Sequence, residues 1–379
     1  MYKIMFKSSI LLSIYLFLAS IYYLFTVSIR YLIFAFLLLL VLYIGLRIRN
    51  KKVFLKTHKK FFLGMSCIFG YTLVVQLING TLTPFTIYYL TSPILGYFIF
   101  SNRFNTRYVS FPFYTFCFYL LTYFILHKNL IGVLNGTVSE NYVSIILIMN
   151  IATIYVIKYR QKEVIPILPA LLAVFFSILA IGRSGILTTL LIFLLVLWLR
   201  IRYQTRLVKM GLFVTFIVPV IAFTIANWDS IKIVFENIEV FSKFSKDGVS
   251  SPSRGIIQRA YLSNIDIITF FTGYNYEDNY WFQHYGLNPH NSYIRLHYFS
   301  GLAFFVIIPI VITSLIKLIR EEIFLSGIFF SILVRSYTDS VLFLTLFDFV
   351  PVLFIMVALL TNNSVEKNSL NDKECLYEK

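Results

Sequence analysis

Twelve times along this chain a run of apolar residues is long enough to cross a bilayer, near positions 9–28, 31–47, 61–78, 84–101, 108–127, 142–157, 164–182, 185–199, 210–227, 293–316, 323–340 and 341–360. A hydrocarbon core about 30 Å thick takes roughly 20 residues of helix to cross, because every backbone polar group must find its partner inside the segment. With 59% hydrophobic and 13% charged residues, the chain is too apolar for a water-soluble domain. The expected fold class is all-α: a polytopic integral membrane protein of about 12 transmembrane helices with one large external loop containing short helices. The turns after Ile29, around Arg183 and near Ser340 are tight, so two spans there read equally as one long helix or a re-entrant pair.

The net charge of +16 does not point to nucleic acid, because of where the basic residues stand. With the N-terminus inside, segments such as Arg47–Lys60, Lys158–Lys162 and Arg200–Lys209 place 23 of the 33 Lys and Arg residues on the cytoplasmic side. The reading is therefore a multi-pass membrane protein with both termini cytoplasmic, its basic loops facing anionic lipid. It divides into helices 1–9 over 1–227, an external loop over 228–292, helices 10–12 over 293–360 and a cytoplasmic tail over 361–379. Lys3 and Lys7 precede a run longer than a secretion-signal core, which reads as an uncleaved first helix. Cys67 and Cys117 lie in spans and Cys375 in the tail, so no disulfide framework or metal cluster is expected.

The external loop is where polar chemistry collects. Ile231 to Phe244 has helical apolar spacing, which predicts a helix along the outer surface. Ser250-Ser251-Pro252-Ser253-Arg254-Gly255 breaks the chain, and Ile256 to Phe271 predicts a second helix, capped by Ser253 and closed by Gly273. Arg254 and Arg259 then project from its first turns, where two guanidinium forks suit a diphosphate; ion pairs with Asp247 or Glu277 are the plainer alternative. Arg183, in Gly182-Arg183-Ser184-Gly185 at an external turn, calls for an anion, whether a ligand or a lipid phosphate. His290 opens the tenth span, where an imidazole can take a hydroxyl proton, with His284 and His297 as rivals. Asn291 caps that helix or holds a sugar hydroxyl. Arg335 and Asp339, four residues apart, form an ion pair or touch a ligand. There is no P-loop, nucleophile elbow, HExxH or Asp-x-Asp pattern, so neither a metal nor a cofactor is expected.

The turn at 182–185, the Ser-x-Ser-Arg at 251–254 leading to Gly273, and His290-Asn291 ten residues before Gly301 together resemble the O-antigen polymerase and ligase superfamily, the Wzy-type polysaccharide polymerases and their lipopolysaccharide-ligase relatives. The loop departs from that family's Arg-x10-Gly spacing, with thirteen residues between Arg259 and Gly273 and eighteen between Arg254 and Gly273. The resemblance implies transfer of a glycan from an undecaprenyl diphosphate carrier to an acceptor sugar hydroxyl at the outer leaflet, without a metal. It assigns Arg183, Arg254 and Arg259 to the diphosphate and His290 to the acceptor proton, with Arg335 as a further contact. The implied partners are an undecaprenyl-diphosphate-linked oligosaccharide, membrane lipid and a chain-length regulator. A ligase differs only in its acceptor, a lipid-A core. A flippase for lipid-linked oligosaccharide shares the span count but calls for charges along a path at mid-membrane, which most spans lack.

Overall fold

The computed structural model describes residues 2–47, 51–135, 139–202, 204–205, 252–284 and 286–360. Their regular elements are all helices, without strands: α1 Tyr2–Ile21, α2 Val27–Arg47, α3 Lys51–Asn79, α4 Tyr88–Ser101, α5 Thr106–His127, α6 Asn141–Arg160, α7 Leu168–Leu179, α8 Arg183–Arg202, α9 Pro252–Leu262, α10 Ile267–Thr272, α11 Tyr280–His284, α12 Ser292–Ser300, α13 Phe304–Glu321, α14 Ile323–Thr338 and α15 Phe349–Leu360. Among them seven segments are long and apolar enough to cross a membrane, and α7, α14 and α15 are shorter apolar helices. The span expected at 210–227, the surface helix expected at 231–244 and the tail lie outside the described residues.

The centre of the bundle is α6, in which every residue from Val143 to Ile157 is buried. It reads as apolar on all faces, and such a helix sits in a core. Around it α1 packs on α5, α4 on α15, and α8 on both α7 and α14. The outward faces are greasy: Leu32, Leu126 and Phe118 are 72%, 71% and 69% exposed. A continuous apolar exterior of this kind belongs against lipid tails rather than water.

Two expected spans are interrupted. The tenth breaks at Gly301, where a short 3-10 turn at Gly301–Ala303 separates α12 from α13. The twelfth does not start at 341: α14 ends at Thr338, and 339–348 is irregular, wholly buried backbone before the twelve-residue α15. Non-helical backbone survives at membrane depth only where protein satisfies its polar groups. Asp348 does so here, accepting from the N–H groups of Phe343 (2.9 Å) and Thr345 (3.0 Å) and from Thr345 Oγ1 (2.8 Å). The helix expected over 256–271 is likewise two pieces. It starts at Pro252, a residue suited to the first helical turn, so Ser253 lies within the helix rather than before it. The chain then restarts at Asp266, whose carboxylate and Thr269 form a reciprocal capping box.

Candidate functional site

At one end of the bundle four chain segments meet, and glycines set how closely. A Cβ on Gly182 would lie 2.7 Å from Asn141 Oδ1, and one on Gly185 would collide with the Ser144 side chain. The N-termini of α8 and α6 can therefore touch, which brings Arg183, the first residue of α8, beside Asn141. Ile181, just before, has φ +54°, a left-handed conformation that costs a non-glycine residue of this shape and persists only under tertiary constraint.

The third segment is the end of α14. Arg335 is 1% exposed and reaches three acceptors: Thr338 Oγ1 at 3.2 Å, the Asn141 carbonyl at 3.4 Å and Asp339 Oδ2 at 3.3 Å. Its Nε has no hydrogen-bond partner. The fourth segment is the turn before α12. His290 has φ +46°, and its Nδ1 lies 3.7 Å from Asp339 Oδ1, longer than a hydrogen bond but within ion-pair range once the imidazole is protonated. Asp339 thus stands between the imidazole and the guanidinium. His290, Arg335 and Arg254 surround this buried carboxylate.

Arg254 joins from α9. Burial pulls its guanidinium below its ordinary value; Asp339 opposes the shift, and repulsion from Arg335 and Arg183 adds to it. Arg254 is therefore within electrostatic reach of Asp339, Arg335 and Arg183. Helical spacing explains why this arginine and not Arg259. On α9, Ile257 and Tyr261 enter a small apolar cluster with Tyr276, Phe282, Ile294 and Tyr298, while Gln258, four residues after Arg254, accepts from Tyr337 Oη at 3.3 Å on α14. Arg259 lies on the opposite face, exposed, its Nε donating to the Gly255 carbonyl at 3.3 Å. It is not part of the cluster.

Asn291 takes the capping role. Its Oδ1 accepts from the N–H groups of Tyr293 (2.8 Å) and Ile294 (3.2 Å), so it fixes the start of α12 behind His290. The two rival histidines lie elsewhere: His284 is exposed on α11, and His297 is buried, its Nδ1 2.7 Å from Tyr261 Oη. Several supports were not foreseen. Asn288 Oδ1 accepts from the His290 N–H (2.9 Å) and from Ser340 Oγ (3.2 Å). Ser292 Oγ donates to the Asp339 carbonyl at 2.8 Å and accepts from the N–H groups of Val341 and Leu342, and Tyr142 Oη donates to the Ser340 carbonyl at 3.0 Å. These bonds tie the histidine turn to the irregular segment after α14.

Gly273 and Gly301 act together at a second crossing. Gly301, at φ +46°, would drive a Cβ into the carbonyl of Phe271, and Gly273, at φ +77°, into those of His297 and Tyr298. Two backbones pass here with no room for a side chain, and the crossing anchors the loop that carries α9 and Arg254 onto α12. Among the described residues no group of three or more His, Cys, Asp or Glu side chains could hold a metal.

No family model, curated protein or solved structure matches this chain. Its chemistry therefore has to be argued from the site itself. That site combines three arginines, one ionised carboxylate and a partly exposed imidazole. Such a set can bind a polyanion bearing more than one negative charge and take a proton beside it.

Proposed function

We propose that this protein is a Wzy-type polysaccharide polymerase, a glycosyltransferase that moves a growing glycan from an undecaprenyl diphosphate carrier to a hydroxyl of a lipid-linked repeat unit, without a metal. The observation that carries the reading is the convergence of Arg183, Arg254 and Arg335 near Asp339, a carboxylate that faces both Arg335 and His290. Guanidinium groups gathered in this way suit a diphosphate, whose oxygens they can hold through forked, charge-assisted hydrogen bonds.

In this mechanism the arginines hold the donor diphosphate, and the acceptor hydroxyl oxygen attacks the anomeric carbon. As the new C–O bond forms, the bond to the diphosphate breaks, its electron pair departs with the leaving group, and His290 takes the hydroxyl proton. The transition state carries oxocarbenium character, so most of the stabilisation comes from fixed donors aimed at the departing oxyanion. Asp339, 3.7 Å from His290 Nδ1, stabilises the imidazolium that forms. Strain at His290 and at Ile181 fits a site whose geometry is set by its function rather than by local preference.

The same reading takes twelve spans with both termini cytoplasmic, the cluster on the outer face of the bacterial inner membrane, and a chain-length regulator as partner. A ligase would use identical donor chemistry on a lipid-A core. Loss of the gene separates the two: single repeat units on the core indicate the polymerase, and intact polymer stranded on its carrier indicates the ligase. Lipid-linked repeats accumulating on the inner leaflet would instead indicate a flippase.

A further inference from the structure

The end of the bundle opposite the arginine cluster holds a cavity of about 830 Å³, walled by the start of α1, the turn between α4 and α5, and the end of α6. Its charge is one-sided. Arg103, Arg107, Arg160 and Lys162 line it, with Glu163 as the one acidic wall residue. That carboxylate is already engaged: Oε2 accepts from Lys158 Nζ at 2.9 Å and from Thr106 Oγ1 at 2.8 Å, and Oε1 from Gln161 Nε2 at 2.9 Å. Burial acts to raise its pKa, and Lys158, Thr106 and Gln161 together hold it below the ordinary glutamate value. Glu163 therefore faces Lys158 rather than the four cations. Among the described residues no ion-pair partner stands against Arg103, Arg107 or Lys162.

The walls are fixed rather than loose. Gln161 clamps the α4–α5 turn from both sides, accepting from the Phe104 N–H at 2.6 Å and donating to its carbonyl at 2.9 Å. Arg160 lies over the Phe100 ring, 4.2 Å from its centroid, and donates to the Phe100 carbonyl. Arg107 stands in the first turn of α5, where the positive end of the helix dipole disfavours a cation unless an anion lies close. Beside the polar mouth the surface turns apolar: Phe6 and Tyr108 meet edge to face and are 45% and 41% exposed, with Phe111 61% exposed a turn further along α5.

From this juxtaposition we infer that the cavity binds the phosphate headgroup of an anionic phospholipid, its acyl chains lying along the exposed faces of α1 and α5. A fixed cationic recess opening onto lipid-facing aromatics matches an amphiphile better than a soluble anion, which would make no use of the apolar rim. The inference does not depend on the proposed catalysis, nor on which end of the bundle faces the cytoplasm.

The test is native mass spectrometry of the delipidated full chain in detergent, titrated with phosphatidylglycerol or phosphatidylcholine. Wild type should prefer phosphatidylglycerol by about ten-fold, consistent with a few surface cations acting on one anionic headgroup. The R103Q/R107Q/K162Q variant should lose that preference, and R103K/R107K/K162K should keep it, which separates lost charge from lost fold. Lys128→Gln, at the far end of α5, should behave as wild type. An undiminished preference in the glutamine variant, or none in wild type, overturns the proposal. So does displacement of the bound lipid by millimolar inorganic phosphate, which would mark the cavity as a site for a soluble anion.

Discussion

Replacing Asp339 by Asn should destabilise the fold more than replacing Asp339 and Arg335 together. Arg335 is 1% exposed and Asp339 2%, and their nearest charged atoms are 3.3 Å apart. At that separation two unit charges attract by about 5 kcal/mol in a medium of effective dielectric about 20. Stripping one partner from such a pair typically costs about 3–5 kcal/mol, because the remaining charge stays buried without compensation, whereas removing both can be close to neutral. The two single changes should also differ. After Asp339→Asn, Arg335 has only neutral acceptors, Thr338 Oγ1, the Asn141 carbonyl and the amide oxygen at 339; after Arg335→Met, Asp339 still has His290 and Arg254 nearby. We therefore expect Asp339→Asn to cost about 3 kcal/mol or more, Arg335→Met less, and the double variant to recover at least about 1 kcal/mol over Asp339→Asn. Unfolding of the purified protein in mixed detergent and dodecyl sulfate micelles, followed by tryptophan fluorescence, reads all three. A double variant as unstable as the two single costs added together would mean that the pair is not coupled, and the electrostatic account of the site would fail.

Other consequences follow from the same geometry. Arg254→Gln should lower polymer formation by about 10²–10³, the usual effect of losing one fixed donor to a departing oxyanion, while Arg259→Gln stays within a few-fold of wild type; polymer length on gels compares them. Gly301→Ala should reduce folded yield, measured by size-exclusion of the membrane-extracted protein, more than Gly255→Ala, because a Cβ at 301 meets backbone whereas one at 255 meets nothing.

The helical bundle is legible because hydropathy reports what each stretch can be dissolved in, and the apolar runs leave few other solutions. What hydropathy cannot report is a break that keeps the same solvent. Val341 to Phe347 is as apolar as any helix here, yet it is unwound; the local clue was Asp348, a carboxylate inside the run that serves the backbone N–H groups the helix would otherwise have used. Arg183 and Arg335 stand out in the chain because each is charged where charge is costly, and Arg254 and His290 because they sit in the one long polar loop. Asp339 could be paired with Arg335 from its four-residue spacing, but its position beside His290 depends on a contact 49 residues away in sequence. The sequence left Arg254 and Arg259 equal; what separates them is the packing of Ile257 and Tyr261 and the contact of Gln258 with Tyr337, which orient α9 so that Arg254 shares the inward face. Asn288, Ser292 and Tyr142 were not readable either, because short polar side chains at helix ends look alike whether they cap locally or hold a distant turn.

The central claim is that this cationic, histidine-bearing site breaks a lipid diphosphate–sugar bond. The most direct measurement is elongation of undecaprenyl-diphosphate-linked repeat units by the purified protein in detergent containing a chelator, with wild type beside Arg254→Gln and His290→Ala. The account predicts a ladder of products and released carrier diphosphate from wild type only, with both variants folded and inactive. Elongation by His290→Ala at the wild-type rate would contradict it.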